Sequence, residues 1–352
     1  MADLKLVVLD NIKNLGTSVD KHLRKASGKS RTTYIADVRV SRFNNGEGKV
    51  TFAEDCRDKD VFILSDVGNY GIEYNMHGCT THMSPDEHFQ DIKRVISALS
   101  GSARRVTIIM PYLYQSRQDR RKLAGESLDC AMALQELERL HVNRIVTFDA
   151  HEPKVSNAIP DVPFENFFPT DFILNKILTT EHPTELLVIS PDIGAMERAR
   201  YYSEVLQCDV GLFYKRRDLS KVVNGKNPIV EHAYMGTDVA GKTCLVVDDM
   251  IASGGTMIEV GQKLRERGAA KVYFVATFSL FTEGIEGFTK AYQEGVFDKL
   301  YTTNLTYIPE KILADNEWIC AVDASERIAE IILALHAGKS LEHFAELDFY
   351  HK

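Results

Sequence analysis

Residues 244–261 read CLVVDDMIASGGTMIEVG, and this stretch decides the fold. Leu245, Val246 and Val247 form a short apolar run, as expected of a parallel strand buried on both faces. Beyond the glycines, Met257, Ile258, Val260 and Leu264 recur at helical spacing, and Thr256 is placed to cap that helix. A strand, a glycine-rich turn and a helix N-terminus bring free backbone N–H groups and a partial positive charge to one point. Such a point is a seat for phosphate. Asp248 and Asp249, expected at the carboxyl end of the strand, repel phosphate but suit sugar hydroxyls or a divalent cation. The predicted ligand is a phosphorylated ribose.

At 352 residues the chain is long enough for two domains, each with its own core. Its 44% hydrophobic and 26% charged residues are ordinary for a globular protein. No apolar run approaches the ~18–20 residues that span a bilayer, and the N-terminus has no signal-peptide pattern. Neither a membrane nor a secretory role is expected. Cys56, Cys79, Cys130, Cys208, Cys244 and Cys320 show no C-x-x-C spacing and read as free thiols, which predicts a cytoplasmic protein. The net charge of -8 argues against nucleic acid as the main partner. An acidic chain that handles phosphate must gather its cations locally.

Short β-branched runs alternate with amphipathic segments, which indicates α/β with mostly parallel sheets. Strands are expected at 61–64, 106–110, 145–148, 186–189, 245–247 and 272–276, and helices at 86–99, 128–140, 196–206, 257–267 and 325–336. The phrases SGSARRVTIIMPY (100–112) and ERGAAKVYFVATF (266–278) share one build. Each has a helix end, a small-residue turn, a basic residue and then a strand, so two related halves are expected, with a changeover near 155–170.

Four further segments follow expected strands, where α/β proteins bind ligands. PYLYQSRQDRRK (111–122) concentrates Arg117, Arg120, Arg121 and Lys122; taken alone it is also what a solvated face looks like. In its functional reading, arginine stacks on planar rings and forks onto phosphates. VTFDAHEPK (146–154) places Asp149 and His151 after a strand, and VISPDIGAMERAR (188–200) places Asp192 and Gly194 before a helix. GLFYKRRDLS (211–220) sets Lys215, Arg216 and Arg217 after an apolar run, either as an exposed basic loop or as a clamp on migrating phosphate charge.

With RFNNGEGKV (42–50) at one end and HAGKSLEHF (336–344) at the other, the ordered set resembles the ribose-phosphate pyrophosphokinases along nearly the whole chain. The resemblance implies two tandem type I phosphoribosyltransferase-like α/β domains, each a mostly parallel sheet flanked by helices. Residues 1–165, joined by the terminal helix 323–352, would form the ATP side, and 166–322 the ribose 5-phosphate side, the two substrates meeting between them. It also implies transfer of the pyrophosphoryl group of ATP to the anomeric hydroxyl of ribose 5-phosphate, giving phosphoribosyl pyrophosphate (PRPP) and AMP, with Mg²⁺ as cofactor.

By the same resemblance Asp248 and Asp249 face the ribose hydroxyls, and Ala252, Ser253, Gly254, Gly255 and Thr256 hold the 5-phosphate. Phe43 and Arg117 sandwich the adenine, Asn45 and Glu47 read its edge, and Gln118 and Asp119 complete the ATP segment. His151 and Asp192 match magnesium-associated positions, His151 acting directly or through water, and Lys215 and Arg217 match the pair that stabilises the transferring group. Phe43, Asn45 and Glu47 would serve a neighbouring subunit, so a homo-oligomer is expected, a dimer at least, with hexamers common in the family.

Departures are also visible. The family's DLHAxQIQGFF becomes DAHEPKVSNAI, Ala252 stands where most members carry Asp, and KLAGES follows the arginines. Gly194-Ala195 replaces the Gly-Gly after SPD, and NYGIEYNMHGCTTHMSPDEH (69–88) is longer than its counterpart. The expectation is altered ADP and phosphate regulation. Two other readings compete: a simple phosphoribosyltransferase, which explains only the C-terminal half, and a catalytically weak regulatory subunit, which would be expected to lose the Lys-x-Arg or Asp-x-His pair. Both pairs are present here.

Overall fold

The computed structural model describes residues 3–28, 32–99, 101–217 and 229–345, with no description of the side chains of 215–217, 229–232, 343 and 345. The chain divides into two compact units. The first lies within Met1–Pro169, Asn304–Pro309 and Asp323–Glu346, and the second within Thr170–Thr303 and Glu310–Val322.

In the first unit, β1 (Leu4–Val8) leads through α1 (Lys13–Ala26) to an antiparallel ribbon, β2 (Val38–Arg42) and β3 (Gly48–Phe52). After β4 (Asp60–Leu64) comes a second antiparallel ribbon, β5 (Glu73–Met76) and β6 (Cys79–His82). Then follow α2 (Pro85–Leu99), β7 (Arg105–Ile109), α3 (Asp129–Arg139), β8 (Arg144–Phe148) and β9 (Phe164–Phe167). The sheet runs β1-β4-β7-β8-β9, all pairs parallel. All five residues of β4 are buried, which explains its unbroken apolar reading after Asp60. Ile92, Val95, Ile96 and Leu99 of α2 recur at helical spacing and pack into the same core as Ile63 and Ile108.

The second unit begins with α4 (Thr170–Glu181), β10 (Leu186–Ser190) and α5 (Met196–Leu206). It continues through β11 (Asp209–Arg217), β12 (Ile229–Met235), β13 (Thr243–Ile251), α6 (Gly255–Glu266) and β14 (Lys271–Ser279). It closes with α7 (Glu286–Gln293), β15 (Lys299–Thr303), α8 (Glu310–Asp315) and β16 (Ile319–Val322). Its sheet runs β12-β11-β10-β13-β14-β15-β16, parallel except for the β11–β12 pair. Both units are thus α/β with parallel sheets flanked by helices.

Helix α9 (Ser325–Ala337), followed by the single turn α10 (Glu342–Ala345), packs on α1 in the first unit. Ile328, Ile331, Ile332 and Leu335 are buried along one face, and Gly338, at φ 65°, ends the helix in the left-handed conformation glycine tolerates. His336 Nδ1 lies 2.8 Å from Oδ2 of the buried Asp60, which also holds the Arg105 guanidinium.

Two local expectations are corrected. Asp248 and Asp249 do lie toward the carboxyl end of β13, but the strand runs on through them, beyond the expected 245–247, because β14 continues the ladder as far as Ile251 opposite Ser279. The N-cap of α6 is Gly254, not Thr256, since the left-handed turn there admits glycine and moves the helix start forward.

Candidate functional site

The turn after β13 is fixed by crowding. Gly254 has φ 78°, and a Cβ on it would stand 2.1 Å from the Phe288 ring, so neither the conformation nor the space permits a side chain. Phe288 is buried and packs against Phe274, Phe297 and Trp318, so it cannot easily yield. Thr282 N donates to Ala252 O at 3.0 Å, and Leu280 N to Ile251 O at 2.8 Å, tying the turn to the chain beyond β14. Gly255 contrasts with Gly254: a Cβ there would meet nothing within 4 Å. The first turn of α6 therefore opens onto clear space beside an exposed Ser253 and Gly255.

Asp248 and Asp249 stand just before this turn. Asp249 is 3% exposed, and its Oδ1 accepts from Met250 N at 2.8 Å; Asp248 Oδ1 accepts from Asp249 N at 2.9 Å. Burial, then the neighbouring Asp249 charge, holds the Asp248 carboxyl well above the ordinary carboxylate range. Arg198 of α5, its Nη1 3.8 Å from Asp248 Oδ1, opposes that shift. Sequence reasoning missed Arg198; its only signal was a place on the helix that follows the Ser-Pro-Asp loop. Two partly dehydrated carboxylates beside a helix N-terminus suit a ligand that offers hydroxyl donors on one side and an anion on the other.

Asp192 serves the start of α5: its Oδ1 accepts from Ala195 N at 3.1 Å, while Ser190 Oγ donates to Asp192 O at 2.7 Å. Lys215 and Arg217 belong by backbone to the end of β11 rather than to a loop, and their side chains lie outside the described residues.

In the first unit the basic run divides. Arg117 and Gln118 are exposed. The Asp119 side chain is 4% exposed, with Arg120 Nε 2.9 Å from its Oδ2. Arg121 Nε donates to Glu126 O at 2.8 Å, and Lys122 N and Leu123 N donate to the Glu126 carboxylate at 2.6 and 3.0 Å. Those backbone bonds hold the Glu126 carboxyl below the ordinary range. Arg120 and Arg121 thus shape the loop, while Arg117 and Lys122 are also exposed to solvent.

His151 is exposed just past β8. Before it Asp149 is buried and left-handed at φ 42°, a conformation that costs a non-glycine residue about 1 kcal/mol or more. Asp149 N to Phe167 O at 2.8 Å and Ala150 N to Asn166 Oδ1 at 2.9 Å hold the strained turn.

Phe43 is 52% exposed at the end of β2, and Asn45 and Glu47 are exposed beside it. Their loop is closed by Phe43 N to Glu47 O and Gly46 N to Phe43 O, each 2.8 Å. Asn45 Nδ2 donates to Glu47 Oε2 at 3.0 Å, and Glu47 N to Asn45 Oδ1 at 3.1 Å. Among the described residues, Arg117 is not stacked on Phe43 within the chain. No three His, Cys, Asp or Glu among the described residues gather as a closed metal cage. No helix among them is long and apolar enough to cross a membrane, and all six cysteines are unpaired.

Residues 4–140 match the N-terminal domain of ribose phosphate pyrophosphokinase, and residues 170–287 match the phosphoribosyl transferase domain. The ribose-phosphate pyrophosphokinase of Burkholderia pseudomallei is 31% identical over 315 residues, covering 89% of this chain and 91% of that one. That of Vibrio cholerae is 29% identical over 346 residues, covering 97% and 98%. The crystal structure of phosphoribosylpyrophosphate synthetase from Mycobacterium smegmatis shares the fold, with a TM-score of 0.78 over 96% of this chain and 99% of that one, at 22% identity.

Proposed function

The chain belongs to the ribose-phosphate pyrophosphokinase family, and from that premise we propose that it makes PRPP by direct transfer of the terminal pyrophosphoryl group of ATP to ribose 5-phosphate. The anomeric oxygen of ribose 5-phosphate forms a bond to the β-phosphorus of ATP. The bond from that phosphorus to the α,β-bridging oxygen breaks, and the oxygen leaves with AMP. The anomeric proton is released. No covalent intermediate on the protein is needed, so positioning and charge neutralisation supply the catalysis.

The observation that carries this reading is the turn after β13, where glycine is forced at 254 by Phe288 and open space lies before Gly255. Ala252 to Thr256 would bind the 5-phosphate through backbone and hydroxyl donors, leaving Asp248 and Asp249 to accept from the ribose hydroxyls. Arg198 opposes the burial of Asp248 and so favours its carboxylate form. Ala252, in place of an acidic residue, removes a charge from the phosphate side without removing a backbone donor.

On the ATP side, Arg117 would stack on the adenine, with Gln118 and the loop fixed by Asp119 setting its position. Phe43 is the opposite slice, and Asn45 and Glu47, already paired with each other, present one donor and one acceptor edge to the base. We assign these three to the site of a neighbouring copy, which makes the working form a homo-oligomer. Lys215 and Arg217 would meet the charge that develops as the pyrophosphoryl group moves.

The donor set fits Mg²⁺, a hard cation bound through one or two carboxylates with water and substrate phosphate oxygens. Asp192 would supply the carboxylate on the second unit; a part for His151 rests on the family resemblance alone and would run through water, since imidazole is a poor direct ligand for so hard an ion. When bound, it neutralises the phosphate oxygens of ATP. ATP labelled with ¹⁸O in the α,β bridge tests the bond that breaks. The label should appear in AMP; label in PRPP would place the attack elsewhere.

A further inference from the structure

The segment 69–88, longer than its counterpart in the family pattern, folds as the ribbon β5–β6. Its turn has two residues, His77 and Gly78, at φ 49° and 79°. Both are left-handed, as in the turns that match the twist of paired strands.

That tip lies on the loop carrying Phe43, Asn45 and Glu47. His77 N donates to Asn44 O at 2.9 Å. At the apex of the loop Gly46, φ 89°, lies so close to Met76 that a Cβ would stand 2.9 Å from Met76 Sδ and 3.7 Å from Tyr74 Oη. The Tyr74 hydroxyl donates to Glu87 Oε1 of α2 at 2.6 Å, and the Arg42 guanidinium lies 5.9 Å from the Tyr74 ring centre. The far end of the ribbon is anchored by Met83 N to Ile72 O at 2.8 Å, and Glu87 reaches back to Ser84 N at 2.9 Å.

Two separate devices therefore hold one exposed loop. At its root, the Arg42 guanidinium makes paired bonds of 2.8 and 2.6 Å to Asp91 of α2, both side chains almost wholly buried. At its tip stands the β5–β6 ribbon. Beside the root lies a cavity of about 240 Å³, lined by Val40 and Arg42, by Glu73 and Tyr74 of β5, and by His88 and Asp91 of α2. A two-stranded ribbon alone is marginally stable in water, so without the brace the loop would have to be ordered when nucleotide arrives.

We infer that the β5–β6 ribbon is a brace that presets the adenine-reading loop, with Met76 and Tyr74 as positioning residues for the nucleotide. The inference rests on the assignment of Phe43, Asn45 and Glu47 to adenine given above. Holding Asn45 and Glu47 in place lowers the ordering cost of ATP binding and leaves ribose 5-phosphate untouched.

The test uses the full chain with two variants: replacement of residues 73–82 by a Gly-Ser-Gly link, and the milder Met76→Ala. Amide exchange over residues 43–47 without nucleotide should rise ~10-fold in the first and measurably in the second. KM for ATP should rise ~10-fold and ~3-fold respectively, with kcat and KM for ribose 5-phosphate within about twofold of the parent. If the shortened chain fails to fold, Met76→Ala alone decides. Unchanged exchange over 43–47, or an equal rise in both KM values, overturns the brace. Faster exchange with KM for ATP unmoved overturns its link to the nucleotide. Should Phe43→Ala and Asn45→Ala also leave that KM unmoved, the fault lies in the adenine assignment.

Discussion

The turn after β13 and the loop after β2 are the two ends of one proposed reaction, and they are built in opposite ways. The first is a backbone device. Its glycine is dictated by a buried phenylalanine, its carboxylates project from a central strand, and its donors are main-chain N–H groups. The second is a side-chain device on an exposed ribbon, where three exposed residues take their positions from hydrogen bonds within the loop and from a neighbouring ribbon. Anchoring by packing makes the proposed phosphate seat insensitive to surface change. Anchoring by few contacts makes the adenine loop adjustable, at the cost of needing a brace.

The largest effects should come from charge, not from either anchor. Lys215→Ala and Arg217→Ala should each lower kcat by ~10²–10³-fold with KM values little changed, as for groups that act mainly on the transition state. Normal kcat with a raised KM in steady-state assays would make them binding residues instead. Next, Gly254→Ala forces a Cβ into the Phe288 ring and a left-handed turn. It should cost about 1–3 kcal/mol in denaturant unfolding and ~10²-fold in kcat/KM for ribose 5-phosphate. Gly255→Ala, facing open space, should leave unfolding unchanged and lose turnover alone. Equal stability losses in the two variants would erase the distinction between fold-required and ligand-required glycine.

Smaller effects probe the exposed loop. Phe43→Ala should raise KM for ATP ~10-fold, the scale of base–aromatic stacking, without altering thermal stability.

Much of the first device could be read from residues 244–261 because its causes are local: an apolar run, two carboxylates, two glycines and a helical period. What could not be read was set by distant partners. β13 extends through the aspartates because β14 is there to pair with it, and Phe288, thirty-odd positions on, decides that Gly254 is the cap. Arg198 showed no pattern beyond its helix. Phe43, Asn45 and Glu47 were found only by resemblance, since exposed polar residues on a ribbon carry no periodic signal. The second ribbon was seen as extra length, and its role in holding the loop needed the contacts of Met76 and His77.

A polar anchor outside both devices gives an effect of another kind, on stability rather than turnover, and it is pH-dependent. Asp66 is buried after β4, where it accepts from Tyr307 N at 2.7 Å, Gly68 N at 2.9 Å and Thr306 Oγ1 at 3.2 Å. Burial outweighs those bonds and raises its carboxyl to about 7. Between its unfolded value near 3.9 and that point, the folded protein keeps a proton that the unfolded chain has lost. The stability it contributes is whole at low pH and falls as pH rises through this window, by up to ~1.4 kcal/mol per pH unit. Asp66→Asn removes the titration, so its melting temperature should fall less than the parent's between about pH 5 and pH 7. Parallel curves would contradict the raised value.

The most direct measurement is an assay of the purified chain with ATP, Mg²⁺ and ribose 5-phosphate, following AMP and PRPP together. The account predicts equal release of both, dependent on ribose 5-phosphate. Binding of both substrates without turnover would contradict it and leave the chain as a regulatory subunit.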